Sequence, residues 1–477
     1  MAKITSIRSC LQTISDPSFD QTSLQSFRLK CHVIVSRSSK SKIFLQVTDG
    51  STSQSIHVFI DSSTSHIKIG DHLDMTGHFV ITPDRKQSVE FIPSSLVIYT
   101  PDESITPAQV AQYQHMYTTK TIQSIRDCHH IRPANSIYAS IYRIRSKMLK
   151  AVSDYFDSKE IIRVDPNIFS KSDCEGAGES FSVQFGTKTE IKCDSEIVEV
   201  PEIYQLQVSS QLPLEWFTRC FSSGVYTMNP SFRAEKSMTR RHLACFTHLE
   251  WEQQFDDLSQ LMDFSEDLVK SLYRTALATC KEDIEFVSPT SLATIGSYCL
   301  DGLDGKEKPW SRMTYTQAID ICHAHADELK KYFDLPIDTE LPKWGDDLGS
   351  YCERYIAEQI TKAPVFITDY PATLKSFYML RNADGITVSC CDLIIPYMGE
   401  LIGSSMREHR YDQLLKTMTE KSIPMKGLEW YVDARRYCSL PTGGAGLGFE
   451  RFLMTLCDTD IRDVLAVPVA YGSHLEL

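Results

Sequence analysis

The sequence has no apolar run near the ~20 residues that a membrane-crossing helix needs, so no such helix is expected. Residues 1–8 lack an apolar stretch followed by a small-residue cleavage site, and no secretory signal is expected there. The 15 cysteines contain no C-x-x-C pair, and adjacent Cys390 and Cys391 cannot both face one zinc. A disulfide framework and a structural zinc site are therefore unexpected, and reduced thiols in a cytoplasmic setting are the simplest account. Excess positive charge is missing too. Asp and Glu number 62 against 49 Lys and Arg, a net charge of −13, which excludes a protein that is basic throughout. No internal repeat, no low-complexity segment and no Walker or dinucleotide glycine spacing occurs.

What is present suits an ordinary globular chain, with 42% hydrophobic and 23% charged residues. At 477 residues it exceeds one hydrophobic core, since cores stop growing near ~250–300 residues, and two domains are expected. Residues 1–100 are expected to form the first domain, and from about Arg28 to Thr100 they read as short strands. Leu29-Lys30-Cys31-His32-Val33-Ile34-Val35 and Ile43-Phe44-Leu45-Gln46-Val47 are β-rich, and Asp49-Gly50-Ser51 is a turn. Ser55-Ile56-His57-Val58-Phe59-Ile60 alternates with period two, and such strands together predict a small barrel of the OB-fold type. Arg28, Lys30, Arg37, Lys40 and Lys42 give this segment a local basic face that phosphates could use, or simply a solvated strand surface.

A polar connector over 101–130 leads to a third segment, 131–477. Ile137, Ile141, Ile144, Met148, Val152 and Phe156 fall on one helical stripe, followed by the extended Ile161-Ile162-Arg163-Val164-Asp165-Pro166. Strands are predicted at 204–208, 365–368, 386–393 and 429–432. Helices are predicted at 255–278, 316–332, 348–360, 411–421 and 449–456. This irregular interleaving predicts an α+β domain built on an antiparallel sheet flanked by helices.

Two blocks carry chemistry. Asn229-Pro230-Ser231-Phe232-Arg233-Ala234-Glu235 continues through Arg240-Arg241-His242 and Phe246 to Glu250; alone, its Arg-x-Glu is an ordinary surface ion pair. Thr442-Gly443-Gly444-Ala445-Gly446-Leu447-Gly448-Phe449-Glu450-Arg451 sets four glycines before a predicted helix, where a backbone can approach an anion.

Both blocks, in this order, resemble motifs two and three of class II aminoacyl-tRNA synthetases, and Pro166 resembles the proline of motif one. Ser172-Asp173-Cys174-Glu175, Ser209-Ser210-Gln211-Leu212, Trp344-Gly345-Asp346-Asp347-Leu348, Lys375-Ser376-Phe377-Tyr378-Met379 and Asp433-Ala434-Arg435-Arg436-Tyr437 are similar to the asparaginyl members. The resemblance covers nearly the whole chain. It implies ligation of L-asparagine to tRNA(Asn) with ATP and Mg²⁺, by a homodimer with Pro166 at its interface.

The resemblance also implies residue roles. Arg233 would hold the α-phosphate, with Arg241, His242 and Arg451 on the outer phosphates and Phe246 stacked on adenine. Asp392 and Glu400 would hold Mg²⁺; without the family pattern they are a strand-end and a turn carboxylate. Glu175, Gln211 and Glu250 would bind the α-ammonium. Arg407 would donate to the side-chain carbonyl and Glu235 accept from the side-chain NH₂, so that a neutral amide fits better than aspartate. The barrel domain over 1–100 would be the anticodon-binding one. There Arg28 and Phe44 would contact the tRNA, Phe44 by stacking, unless this aromatic belongs to the core. Cys128-His129-His130 lacks partners at metal-ligand spacing and reads as connector.

The chain departs from the family pattern at Cys245 (glutamate), Thr442 (histidine), Ala445 (phenylalanine), Ser404 (glycine) and Met406 (glutamine). The phosphate, metal and amide-reading positions remain, so activity is expected, with ATP affinity reduced. Three other readings stay open: an aspartate-charging enzyme, a tRNA-independent asparagine-forming ligase, and a non-catalytic RNA-binding paralogue.

Overall fold

The computed structural model describes residues 3–16, 18, 25–61, 67–82, 89–100, 104, 106, 108–109, 111–112, 115, 122–126, 128, 131–170, 180–191, 197–237, 239–299 and 308–472. Strands β1 (Phe27–Ser38), β2 (Lys42–Thr48), β3 (Ile56–Asp61), β4 (His72–Ile81) and β5 (Val89–Tyr99) close a barrel in the order β1-β2-β3-β5-β4. Alternation dictates its inside: Leu29, Cys31 and Val33 of β1 and Ile43, Leu45 and Val47 of β2 are buried together. Phe44 therefore lies on the outer face, beside His57 at 4.8 Å and Phe59 at 5.3 Å between ring centroids. The helix Ile7–Ser15 plugs against the barrel, its Ile7 N–H donating to Asp49 at 2.7 Å.

The larger sheet contains β6 (Ile162–Arg163), β10 (Val225–Phe232), β11 (Cys245–Gln253), β12 (Ser311–Thr314), β13 (Val365–Thr368), β14 (Cys390–Ile395), β15 (Gly399–Met406) and β16 (Gly443–Gly448). Its order is β12-β13-β14-β15-β16-β11-β10-β6, antiparallel except for parallel pairs at the two edges. Strands β7 (Phe169–Ser170), β8 (Ser182–Ile191) and β9 (Ile197–Leu206) form a separate three-stranded sheet.

One face of the large sheet is covered by the helices Ser136–Ser158 and Leu258–Thr279. The Ser136–Ser158 helix starts at Asn135, whose side chain caps the Ile137 N–H at 3.0 Å. All six residues of the predicted stripe are buried against the sheet, and Phe156 stacks on Tyr226 with centroids 4.2 Å apart. Burial of each such side chain contributes about 1.5–3 kcal/mol. Cys390 and Cys391 project to opposite faces of β14 and join different cores, the first under the 315–372 segment and the second under the two long helices.

Several expectations need correction. Residues 429–432 are not a strand but the start of the helix Glu429–Tyr437, which buries Tyr431, Val432 and Arg435 at helical spacing. The predicted helix over 316–332 is interrupted at His325, and that over 348–360 is Ser350–Tyr355 followed by a wider turn, Ile356–Ile360. The glycine run ahead of the predicted helix forms strand β16. Among the described residues no helix is long and apolar enough to cross a membrane.

The connector is tied down at its far end. Arg126 pairs with Asp463 at 2.7 Å, and fully buried Arg132 donates to the carbonyls of Arg462 and Leu465 at 2.9 and 2.8 Å. Arg143 spans barrel and sheet domain, pairing with Asp283 at 2.6 Å and donating to the Gly50 carbonyl.

Candidate active site

Strand β11 sorts the site by alternation. Leu249 and Trp251 point into the helix-covered core, so His248, Glu250 and Glu252 point to the other face. Across the ladder they meet Gly448, Gly446 and Gly444 of β16. Side chains there would collide with the site: a Cβ on Gly444 would lie 1.8 Å from Glu252 Oε2, and one on Gly446 2.4 Å from His248 Nε2. The glycines thus make room for carboxylates and an imidazole on the neighbouring strand.

Two cavities open on this face, of about 240 and 230 Å³, and Arg233, His248, Glu400 and Gly446 line both. The second gathers three arginines, Arg233, Arg241 and Arg451, beside the carboxylates of Glu235, Glu400 and Glu450. Arg233 lies 5.6 Å over the Phe246 ring, and its guanidinium is 3.9 Å from Glu235. Arg241 donates to the Met398 carbonyl and to Ser350 Oγ, each at 2.6 Å, and Arg451 donates to the Glu400 carbonyl at 2.9 Å. His242 accepts or donates at Nδ1 with Ser237 Oγ (3.0 Å) and Thr239 Oγ1 (2.5 Å). Burial and nearby Arg451 hold the His242 imidazole below its usual range, and burial with Arg233 and Arg451 takes His248 down to about 3. Both rings are neutral near pH 7. Three convergent guanidiniums can receive a multiply charged anion, while the carboxylates beside them can hold its counter-cation.

Asp392 and Glu400 stand on adjacent strands and converge. A Cβ on Gly403 between them would meet Glu400 Oε1 at 3.0 Å and Asp392 Oδ1 at 3.7 Å. The other Asp392 oxygen accepts from Lys375 Nζ at 2.6 Å. Burial pushes the Asp392 carboxyl up, against the pull of Lys375. For Glu400 the upward push of burial is outweighed by Arg451, Lys375 and Arg233, and its carboxyl lies below the usual range. Glu353 joins this group, raised to about 8 by burial and by Glu400 and Asp392, so it keeps its proton at neutral pH. Among the described residues no trio of His, Cys, Asp or Glu is arranged to hold a metal unaided. Two converging oxygens instead fit Mg²⁺, which binds through one or two carboxylates and completes its shell with phosphates and water.

The first cavity ends at Arg407, which is buried and held by Glu252 through two hydrogen bonds of 2.8 Å, Nε to Oε1 and Nη2 to Oε2. Its Nη1 donates to Ser405 Oγ at 2.5 Å. Glu250 accepts from the Ser210 N–H at 2.9 Å and from the Ser209 hydroxyl. Gln211 lines the same cavity.

Expected partners are not all together. Glu235 lines the second cavity near Arg233, on the segment that leaves β10, whereas Arg407 lies in the other cavity beside Glu252. The carboxylate balancing Arg407 is therefore Glu252. Glu175 lies outside the described residues. In the barrel, Arg28 is bound bidentately by Asp74 at 2.9 and 2.8 Å. The Pro166 carbonyl accepts from Asn229 Nδ2 at 2.8 Å, fastening the segment after β6 to β10.

Residues 124–470 match the family described as tRNA synthetases class II (D, K and N). The chain belongs to this family of class II tRNA synthetases. It is 33% identical over 460 residues to an asparagine–tRNA ligase of Clostridium acetobutylicum, covering 94% of this chain and 95% of that one. The corresponding ligase of Porphyromonas gingivalis is 35% identical over 459 residues, with 93% and 94% covered. Among solved structures, asparaginyl-tRNA synthetase of Pyrococcus horikoshii complexed with asparaginyl-adenylate superposes with a TM-score of 0.80 at 25% identity, covering 100% of both chains. That of Entamoeba histolytica gives 0.77 at 24% identity, over 95% and 98%.

In this class II synthetase, sequence reasoning gave no role to His248, Glu252, Lys375, Glu353, Glu215 or Arg435. A signal for the first two existed: His248, Glu250 and Glu252 alternate on one strand, so whatever faces Glu250 faces the others. Lys375 and Arg435 lay inside blocks noted only for their likeness.

Proposed function

We propose that the protein joins L-asparagine to tRNA(Asn) through an asparaginyl-adenylate, using ATP. The observation that carries this is the pair of adjoining cavities, one bearing three arginines and one closed by a charge-matched arginine, with Arg233 on the wall they share. In the first step an asparagine carboxylate oxygen forms a bond to the α-phosphorus while the bond to pyrophosphate breaks. Arg233, reaching both cavities, would hold the α-phosphoryl oxygens as negative charge builds there. Arg241, His242 and Arg451 would take the outer phosphates, and Phe246 the adenine. Asp392 and Glu400 would hold Mg²⁺, which supplies neutralising charge to the phosphates. In the second step a terminal ribose hydroxyl of the tRNA attacks the activated carbonyl and AMP leaves; positioning suffices, without a protein nucleophile.

Glu250 and Gln211 face the α-ammonium in this reading, with Glu175, and Arg407 donates to the side-chain carbonyl. Because Glu252 already matches the Arg407 charge, an added aspartate carboxylate meets no free cation. Outward-facing Phe44, with Arg28, serves the tRNA. The enzyme works in the cytoplasm as a homodimer: edge strand β6 leaves Ile162 exposed beside Pro166, and the β8–β9 hairpin exposes Phe185 and Ile203.

The test is ATP–pyrophosphate exchange across all amino acids. Exchange is expected with asparagine; exchange with aspartate and not asparagine overturns the specificity. Asparagine formed from aspartate, ATP and ammonia without tRNA would favour the amide-ligase reading, against which the N-terminal barrel speaks. tRNA binding with no exchange would favour a non-catalytic paralogue.

A further inference from the structure

A buried charge network runs from the wall of the first cavity, where Arg407 and Glu252 line it, back to Glu215 and Arg435, which do not. Glu215, on the helix Gln211–Phe217, is 3% exposed. Its Oε2 accepts from the Tyr431 hydroxyl at 2.8 Å and from the Arg435 guanidinium. Its Oε1 accepts from Gln211 Nε2 at 2.9 Å and lies 3.8 Å from Arg407 Nε. Arg407 in turn is clasped by Glu252. Two guanidiniums and two carboxylates are thus packed together with no net charge. Partly buried Arg219 stands at the outer end, its guanidinium held below the usual range first by burial, with Arg435 lowering it and Glu215 raising it.

We infer that Glu215 is a specificity-determining positioning residue: without touching the amino acid, it sets which side chain the cavity accepts. Two consequences follow from its contacts. Its negative charge, beside Arg407 and on Arg435, keeps the end of the cavity neutral, so a ligand carboxylate finds no uncompensated cation. It also fixes the Gln211 amide by holding the NH₂ end, which leaves the Gln211 carbonyl oxygen for the ligand; the amide orientation follows from this hydrogen bond. A hydrogen-bonding site of this kind rejects mismatched side chains strongly, because buried polar groups are left unpaired. The inference rests on the asparagine-specific reading above.

The test compares asparagine- and aspartate-dependent ATP–pyrophosphate exchange in the full-length protein and two variants. Glu215→Gln keeps shape and removes one negative charge, leaving the network positive. The kcat/KM ratio of asparagine to aspartate is expected to fall at least tenfold, equivalent to about 1.4 kcal/mol, with part of the fall coming from a gain in aspartate use. A structural role alone would lower both substrates equally, and that result overturns the inference. Arg435→Gln shifts the charge the other way and is expected to give no gain with aspartate; a gain there also overturns it. Should Glu215→Gln fail to fold, the double variant Glu215→Gln/Arg435→Gln removes the pair together and is expected to keep the parental ratio within about threefold, a larger change counting against the inference. If the parent itself prefers aspartate, the functional reading fails instead.

Discussion

Arg233 sits where the two cavities join, a third exposed, with its guanidinium over Phe246 and near Glu235. A cation there acts on charge that develops in the reaction and does little for the fold. Arg233→Ala is expected to reduce asparagine-dependent exchange by about 10²–10³-fold, as loss of a preorganised transition-state donor does, while the thermal unfolding midpoint stays at the parental value. His248 gives the opposite kind of prediction. Unfolded, its imidazole takes a proton below about 6.5; folded, it stays neutral down to about 3. The stability from this depressed value is whole above the unfolded pKa and is lost as pH falls through that window. Acidification from about pH 6.5 is expected to cost on the order of 1 kcal/mol per pH unit from this group, and His248→Gln should flatten the urea-midpoint-versus-pH curve by that amount. Arg233 and Arg451 were readable because glycine and arginine blocks are distinctive. His248 and Glu252 carry no motif of their own, and only their alternation with Glu250 along one strand marks them.

The β11–β16 pairing shows how an element can go unread while its residues are noticed. A glycine run before a helix suggests a backbone open to a phosphate, yet here glycine is required by side chains across the ladder. Gly444→Ala is expected to push Glu252 from Arg407, destabilising the protein by about 1–3 kcal/mol and raising the KM for asparagine more than that for ATP; thermal unfolding and exchange kinetics check both. The helix Ser136–Ser158 was legible because its stripe runs along nearly all of its 23 residues. Over 429–432 four residues cannot separate period two from 3.6, and the buried Tyr431, Val432 and Arg435 decide for the helix. Strands β4 and β5 escaped notice because His72, Asp74 and Ser94 break the apolar pattern that long-range pairing supports.

For the molecule as a whole, the proposed function gives tRNA binding to the barrel and the chemistry to the sheet domain. Phe44→Ala is expected to raise the KM for tRNA in aminoacylation several-fold (~1–3 kcal/mol for a stacked base) while leaving exchange unchanged. Assembly is tested by Phe185→Asp: the parent should sediment at twice the 54.2 kDa chain mass, and the variant at one chain mass with reduced exchange. Both expectations came from resemblance, since surfaces that meet RNA or a second copy carry no periodicity of their own.

The connector's arginines impose an order on biosynthesis. Arg132 finds its acceptor at Arg462 only after 330 further residues have been added, on the order of tens of seconds at ribosomal speed. Until then its guanidinium has no carbonyls to enter, and the barrel is held to the sheet domain through Arg143 alone among the arginine contacts described above. Ribosomes that stop before residue 462 would release a chain with every candidate site residue present and Arg132 without its carbonyls, and such products should unfold at a lower temperature than the finished protein.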